Sequence, residues 1–168
     1  MLITSHQQAS QMRRTILNNA ETAKETLMKN MDTSALELFA AIKYEKIGVD
    51  PLTGRELNLI EQINQMYSDL VILAAVQELM EEFPGKSFEA NFGAVPGYDV
   101  MSTDGQVVAE CFAVTSVASN DKLNKDCRKL LKADAEHKYL FFYTYSDSDD
   151  KLEKKYQKYP KICFRRVY

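Results

Sequence analysis

The chain has little of what marks secreted, disulfide-bonded or zinc-binding proteins. It has three cysteines, at positions 111, 127 and 163, and no pair has the CxxC spacing of a zinc site. An odd number of widely separated cysteines argues against a disulfide framework. No apolar run approaches the roughly 20 residues that a membrane span needs, and residues 1–6 lack the pattern of a signal peptide. The sequence therefore predicts a cytoplasmic protein with no membrane partner.

Motifs that bind nucleotides or activate a nucleophile are also missing. The six glycines occur singly, never as GxGxxG or GxxxxGK[ST]. There is no GxSxG elbow, and Cys111 has no evident activating base. His6 and His137 have no partners at zinc-ligand spacing. Acidic side chains therefore become the main candidates for chemistry.

Length and composition fit one globular domain. The chain has 168 residues, of which 45% are hydrophobic and 27% charged, as is ordinary for a domain that buries a core. We see no internal repeat, low-complexity tract or interdomain linker. The sequence predicts a single domain over residues 1–168, with a helical arm at 1–47 and an α/β core at 56–168.

The charge is divided unevenly along the chain. The net charge is −3, but residues 122–166 carry thirteen Lys and Arg against seven Asp and Glu. The remaining residues carry eight basic against seventeen acidic side chains. A basic segment is compatible with phosphate binding on one face, although alternating charges are also typical of a solvated surface. The acidic remainder leaves room for a basic protein partner.

The first 47 residues predict two helices, because they contain no glycine or proline. We expect helices over residues 5–30 and 33–46, the second capped by Thr33 or Ser34. The second helix has an apolar stripe of Leu36, Phe39, Ala40 and Tyr44. These helices are expected to pack on the domain or on a second copy of the chain, which would make a homodimer.

A loop and a long helix follow. Residues 48–55 are dense in turn formers, and the pattern over 56–83 predicts a helix that ends before Pro84-Gly85. Its expected inward residues are Leu59, Ile60, Ile63, Met66, Leu70, Leu73, Ala74, Val76 and Leu79.

After Gly85 the apolar period changes from 3.6 to 2 residues, which predicts strands. We expect strands over 88–92, 98–102 and 106–117, the last two joined by an Asp104-Gly105 hairpin turn. A helix over 120–135, capped by Ser119 or Asn120, has an apolar face of Leu123, Cys127, Leu130 and Leu131. The remaining predictions are a strand over 138–145 buried on both faces, a short helix over 151–158 and a strand over 162–167.

Two carboxylates in this region need a physical reason. Asp99 follows the turn residues Pro96-Gly97, and Glu110 interrupts an otherwise apolar strand. A buried ionised Glu costs several kcal/mol unless a metal, a cation or strong donors compensate it. Two acids that converge from adjacent strands therefore predict a divalent-cation site.

The order of elements, with Asp99 starting one strand and Glu110-Cys111-Phe112 inside the next, resembles the PD-(D/E)xK restriction-endonuclease-like nuclease core over residues 56–145. The resemblance implies a mixed β-sheet flanked by helices, with an N-terminal helical extension. It also implies that Asp99 and Glu110 bind Mg²⁺ (or Mn²⁺), and that Glu61 of the preceding helix assists. Gln65, one turn on from Glu61, is expected on the same helix face. The Lys that the family places two residues after the second acid is Phe112 here.

The resemblance implies a metal-dependent endonuclease that hydrolyses DNA, with a Lys on the following helix in place of the missing one. Lys122 is the expected catalytic Lys, with Lys125 as a second choice. The DNA backbone is expected to contact Lys125, Arg128 and Lys129. The alternative is a catalytically inactive binding or regulatory subunit with this fold, from a defence or mobile-element system.

Each assignment has a purely structural alternative. Arg128 or Lys125 could hold Glu110 in an ion pair. Asp99 could serve turn formation alone, and Glu61 could lie on the solvent face of its helix.

Overall fold

The computed structural model describes residues 1–93, 96–117, 121–146 and 149–168. In chain order the elements are β1 (Leu2–Ile3), α1 (His6–Lys29), α2 (Ala35–Tyr44), β2 (Gly48–Val49), β3 (Glu56–Leu57), α3 (Leu59–Glu82), β4 (Phe88–Ala90), β5 (Val100–Ser102), β6 (Val107–Val114), α4 (Lys122–Leu131), β7 (His137–Thr144), α5 (Asp149–Tyr156) and β8 (Cys163–Arg166). Within these residues the strands form a six-stranded mixed sheet and a separate two-stranded hairpin. The predicted α/β class is confirmed.

The sheet has the strand order β1-β4-β5-β6-β7-β8. The first four strands pair antiparallel, and β6, β7 and β8 pair parallel. Gly105, with a φ of 72°, makes the tight turn between β5 and β6 that the sequence predicts. Alternate residues of the central strand β6 face two separate apolar clusters, one beneath α1 and α3 and the other beneath α4. The predicted burial of β7 on both faces is confirmed.

Local capping explains where the N-terminal helices begin. The Ser5 side chain accepts a hydrogen bond from the Gln8 amide, and Ser34 forms a capping box with Glu37. Helix α1 packs on α3 and buries Ala9. None of the helices described here is long and apolar enough to cross a membrane.

The predicted stripe of α2 is largely exposed. Leu36, Phe39 and Tyr44 have 81%, 64% and 72% of their surface exposed, while Ala41 is buried. The stripe therefore does not pack on its own domain. The expectation that the N-terminal helices join two copies stays a prediction.

The N-terminal part of α3 differs from the sequence prediction. Ile60 and Ile63 were expected to point inward, but they are 46% and 47% exposed. Gln62 is buried between them, because its side chain accepts a hydrogen bond from Val49 N and donates one to Asn19 O. A buried polar side chain with both bonds satisfied is a stable alternative to an apolar contact.

Three smaller differences concern element boundaries. Residues 48–57, predicted as a loop and the start of a helix, contain the β2–β3 hairpin, and α3 begins at Leu59 after its Asn58 cap. The predicted caps Ser119 and Asn120 lie outside the described residues. Leu131, predicted on the apolar face of α4, is 42% exposed because the helix ends there.

Candidate functional site

Strands β5 and β6 bring the two predicted acids together. Val100 pairs with Ala109, so continuing the antiparallel register by one residue sets Asp99 opposite Glu110. Directly opposed residues point to the same face of a sheet. The Asp99 Oδ2 atom accepts a hydrogen bond of 2.7 Å from the Cys111 amide, which fixes this carboxylate beside β6.

Glu110 lies almost fully inside the protein. The residue is 2% exposed, and burial together with the charge of Asp99 raises its pKa to about 7. Burial also raises the pKa of Asp99, although the hydrogen bond from Cys111 opposes this effect. The protein therefore holds two neighbouring carboxylates that repel each other when both are ionised.

Helix α4 supplies the charges that face these acids. Lys122, Asp126 and Lys129 have the i, i+4, i+7 spacing that puts side chains on one helix face. The Lys122 Nζ atom is 2.9 Å from the Asp126 carboxylate, and the Lys129 Nζ atom is 2.6 Å from Glu110 Oε1. The result is a partly buried cluster of three acids and two lysines.

Lys122 is an ammonium in this cluster. Burial lowers its pKa, but the hydrogen bond and charge of Asp126, with the charges of Asp99 and Glu110, outweigh burial and raise the pKa overall. A lysine with a raised pKa supplies positive charge rather than a proton acceptor at neutral pH.

The other predicted basic residues occupy different surroundings. Lys125 is exposed and lines the same cleft as Lys122. Arg128 forms an exposed ion pair of 2.9 Å with Asp121. The structural alternative for Glu110 was an ion pair with Arg128 or Lys125. Glu110 does form an ion pair, but its partner is Lys129.

A cleft of 1230 Å³ opens beside the cluster. Its walls are the N-terminal half of α3, the β2–β3 hairpin, the C-terminal end of β6 and the first turn of α4. Asp99 and Lys122 line it, whereas Glu110 lies beneath its surface. Of the five cluster residues, only Asp99 and Lys122 are therefore among those that line the cleft.

Sequence reasoning missed Asp69, a buried acid on the α3 wall of the cleft. Asp69 has no exposed surface, and neither carboxylate oxygen has a hydrogen-bond partner within the described part of the chain. Burial and the charge of Asp50 raise its pKa to about 7. The signal was available, because Asp69 interrupts the apolar face that continues through Leu73 and Val76.

Glu61, which the resemblance implies on this helix, and Gln65, one turn on, both line the cleft. Glu61 is exposed in the first turn of α3, where Asn58 caps its amide. Gln65 donates a hydrogen bond of 2.9 Å to Asp50. Of the neighbours expected to face the core beside Glu61, Leu59 is buried, whereas Ile60 and Ile63 are half-exposed. Asp69 is the acid that α3 buries.

Phe112 fills the position of the expected Lys with an apolar contact. It is 3% exposed and its ring stacks on Phe142, with ring centroids 5.8 Å apart. The positive charge therefore reaches the acids from α4 instead of β6.

The donor set suits a hard divalent cation. Carboxylate oxygens are the ligands that Mg²⁺ prefers, and Mg²⁺ usually takes one or two of them and keeps water or substrate phosphate in its other positions. Asp99 and Glu110, which repel each other, fit this pattern. Over the described ranges, no three His, Cys, Asp or Glu side chains converge closely enough to enclose a metal ion by themselves.

Comparison with protein-family models, with curated proteins and with solved structures finds no match for this chain. The fold and the site define it as a mixed α/β protein with an acidic and lysine-containing cluster beside a large cleft.

Proposed function

We propose that the protein is a divalent-metal-dependent hydrolase of DNA phosphodiester bonds, with a PD-(D/E)xK-like core. The observation that carries the proposal is the paired Asp99 and Glu110 on adjacent strands, with the Lys122 ammonium beside them at a cleft. The antiparallel β4–β5–β6 segment, followed by α4 and the parallel strand β7, agrees with the order that the resemblance implies.

The acids would hold Mg²⁺ or Mn²⁺, and Lys122 would stabilise charge on the phosphate. Asp99 and Glu110 are the proposed metal ligands, and Glu61, on the α3 wall of the cleft, would assist. The bound cation would activate water and neutralise charge on the phosphate. Lys122 would add a fixed positive charge where negative charge develops in the transition state.

DNA binding in this proposal uses the basic side of the cleft. Lys125 is exposed there, and Arg128 and Lys129 follow on the same helix. Backbone contacts of this kind supply affinity and position but carry no sequence information. We therefore expect binding that weakens with salt.

A lysine pair on α4 gives a direct test of this function. We expect the parent protein to nick supercoiled plasmid in Mg²⁺, and Lys122→Ala to nick it about 100-fold more slowly, because a charge aimed at the transition state is lost. Lys125→Ala is the matched control, one turn away on the same wall. We expect Lys125→Ala to slow nicking only a few-fold. Its rate should approach that of the parent when the protein is in excess over the plasmid. Equal rates for parent and Lys122→Ala would remove Lys122 from the mechanism.

The second candidate function is a non-catalytic binding or regulatory subunit with the same fold. Two observations favour this alternative. Phe112 places an apolar ring where the family has a Lys, and Lys129 already forms an ion pair with Glu110, one of the two proposed metal ligands. Under this alternative the parent would bind DNA without cutting it in any metal.

A further inference from the structure

A second cavity, a recess of 230 Å³, lies between α1, α3 and β7. It is lined by Arg13, Tyr67, Leu70, Val71, Tyr143 and Tyr168. Three tyrosines and one arginine around a small cavity form an amphipathic surface, apolar over the ring faces and polar at the guanidinium and hydroxyl groups.

The tyrosine rings have an ordered arrangement. The Tyr67 and Tyr143 rings are nearly parallel, with 9° between their planes and 6.0 Å between centroids. The Tyr168 ring stands at 68° to that of Tyr143, and its hydroxyl donates a hydrogen bond to Leu70 O. Tyr67 keeps 45% of its surface exposed. Tyr67 and Tyr143 stack on each other, and the surface of Tyr67 that stays exposed is available to a flat ligand.

Arg13 adds a positive charge to this recess. Its guanidinium carbon lies 5.7 Å from the centroid of the Tyr168 ring, within range of a cation–π contact. No ion pair found among the described residues involves Arg13. The guanidinium donors therefore remain available for an anion, and phosphate suits their geometry.

Neighbouring residues of α3 and of the β6–β7 pair line the recess and the large cleft. Ser68 and Asp69, which follow Tyr67 on α3, line that cleft. Ala113, which also lines it, is the register partner of Tyr143 in the β6–β7 pair. A strand that lies in the cleft therefore needs to extend by little to reach the tyrosines.

We propose that this recess binds one nucleobase of a single-stranded segment, stacked on Tyr67, while Arg13 contacts a phosphate of the same strand. This inference rests on the proposed nucleic-acid function of the cleft. Base stacking on aromatic side chains tolerates any sequence, because every base has a π-face. The preferred substrate would therefore have an unpaired nucleotide next to the cleavage site.

Binding of intact and abasic strands tests the base contact. A 12-nucleotide single strand, and versions with one abasic site moved position by position, are titrated against the full chain in Ca²⁺ by fluorescence anisotropy. We expect one position at which the abasic strand binds the parent about tenfold more weakly than the intact strand. Tyr67→Leu should reduce that ratio to below about twofold.

Two control variants separate stacking from other effects. Tyr145→Leu changes a tyrosine that is 81% exposed and does not line the recess, so it should keep the parent's ratio. Arg13→Gln should weaken binding of intact and abasic strands equally and lower the salt dependence by about one phosphate contact.

The outcomes distinguish this inference from the proposed function. A parent that cuts DNA but binds abasic and intact strands equally, or a ratio that Tyr67→Leu leaves unchanged, would overturn the base pocket and leave the hydrolase standing. A tenfold ratio that Tyr67→Leu removes would support the pocket even if the parent proves unable to cut. Failure to bind any single strand would overturn the pocket.

Discussion

Asp69→Asn is expected to stabilise the protein by about 2–4 kcal/mol at pH 8. Burial raises the pKa of Asp69 to about 7 from an ordinary value of 3.8. Each pKa unit corresponds to about 1.4 kcal/mol, so ionisation inside the folded protein costs up to about 4 kcal/mol. Asn has nearly the same shape and carries no charge. Its amide is also buried, which sets the lower end of the range.

The pH dependence of this gain follows from linkage. Between pH 4 and pH 7 the folded state keeps a proton on Asp69 that the unfolded state has released, so the stability of the parent falls as pH rises. The free energy of unfolding of Asp69→Asn minus that of the parent should be about −2 to 0 kcal/mol at pH 4, where only the cost of the buried amide counts. It should then rise by about 1.4 kcal/mol per pH unit and level off above pH 7. Urea unfolding at pH 4, 6 and 8 measures it. Asp134→Asn, on an exposed loop, is the control, and a gain for Asp69→Asn that is the same at all three pH values would contradict the account.

A stabilising Asp69→Asn also bears on function. Substitutions that stabilise a protein often lower its activity when they remove a strained or destabilising group from a functional site. Asp69 and Asp99 both line the cleft. We therefore expect the stabilised variant to bind divalent cations more weakly than the parent.

Lys129→Met is expected to destabilise the protein by about 1–3 kcal/mol at pH 8. The substitution keeps most of the stem but removes the ammonium 2.6 Å from Glu110 Oε1, and Glu110 has almost no access to water. The loss stays below that of a fully buried ion pair because the Lys129 side chain is 42% exposed. Chemical denaturation measures the change.

A double-mutant cycle isolates the ion pair. In a Glu110→Gln background the cost of Lys129→Met should fall to below about 1 kcal/mol, since what remains is the contact of the ammonium with Gly97 O and the Tyr98 ring. The same cost in both backgrounds would show that Lys129 stabilises only the loop that contains Gly97.

Much of the fold could be predicted because local signals agree with the tertiary structure. Three local signals each predict the element that forms there: the Asp104-Gly105 turn, the change of period after Gly85 and the apolar run of β7. The pairing of Asp99 with Glu110 follows from the same hairpin. Tertiary contacts decide the rest. Gln62 takes an inward position because the β2–β3 hairpin and α1 supply its hydrogen-bond partners, which no helical period shows.

The site could be predicted only where a residue is unusual in its own element. Glu110 breaks an apolar strand and was identified. Asp69 breaks an apolar helix face in the same way, but it lies where the polar N-terminal half of α3 meets the apolar run that starts at Leu70, so in sequence it looks like the end of the polar stretch. Asp126 sits between lysines in a charged segment, where nothing local separates a buried acid from a solvated one. Its burial depends on how α4 packs against β6.

The measurement that tests the central claim most directly is nicking of supercoiled plasmid by the parent in Mg²⁺, beside Glu110→Gln. Glu89→Gln, an exposed residue on β4, is the matched control. We expect the parent and the control to nick at one rate, EDTA to stop both, and Glu110→Gln to be at least about 100-fold slower with its fold intact. Equal cutting by Glu110→Gln, or no cutting by the parent in Mg²⁺ or Mn²⁺, would contradict the proposed hydrolase.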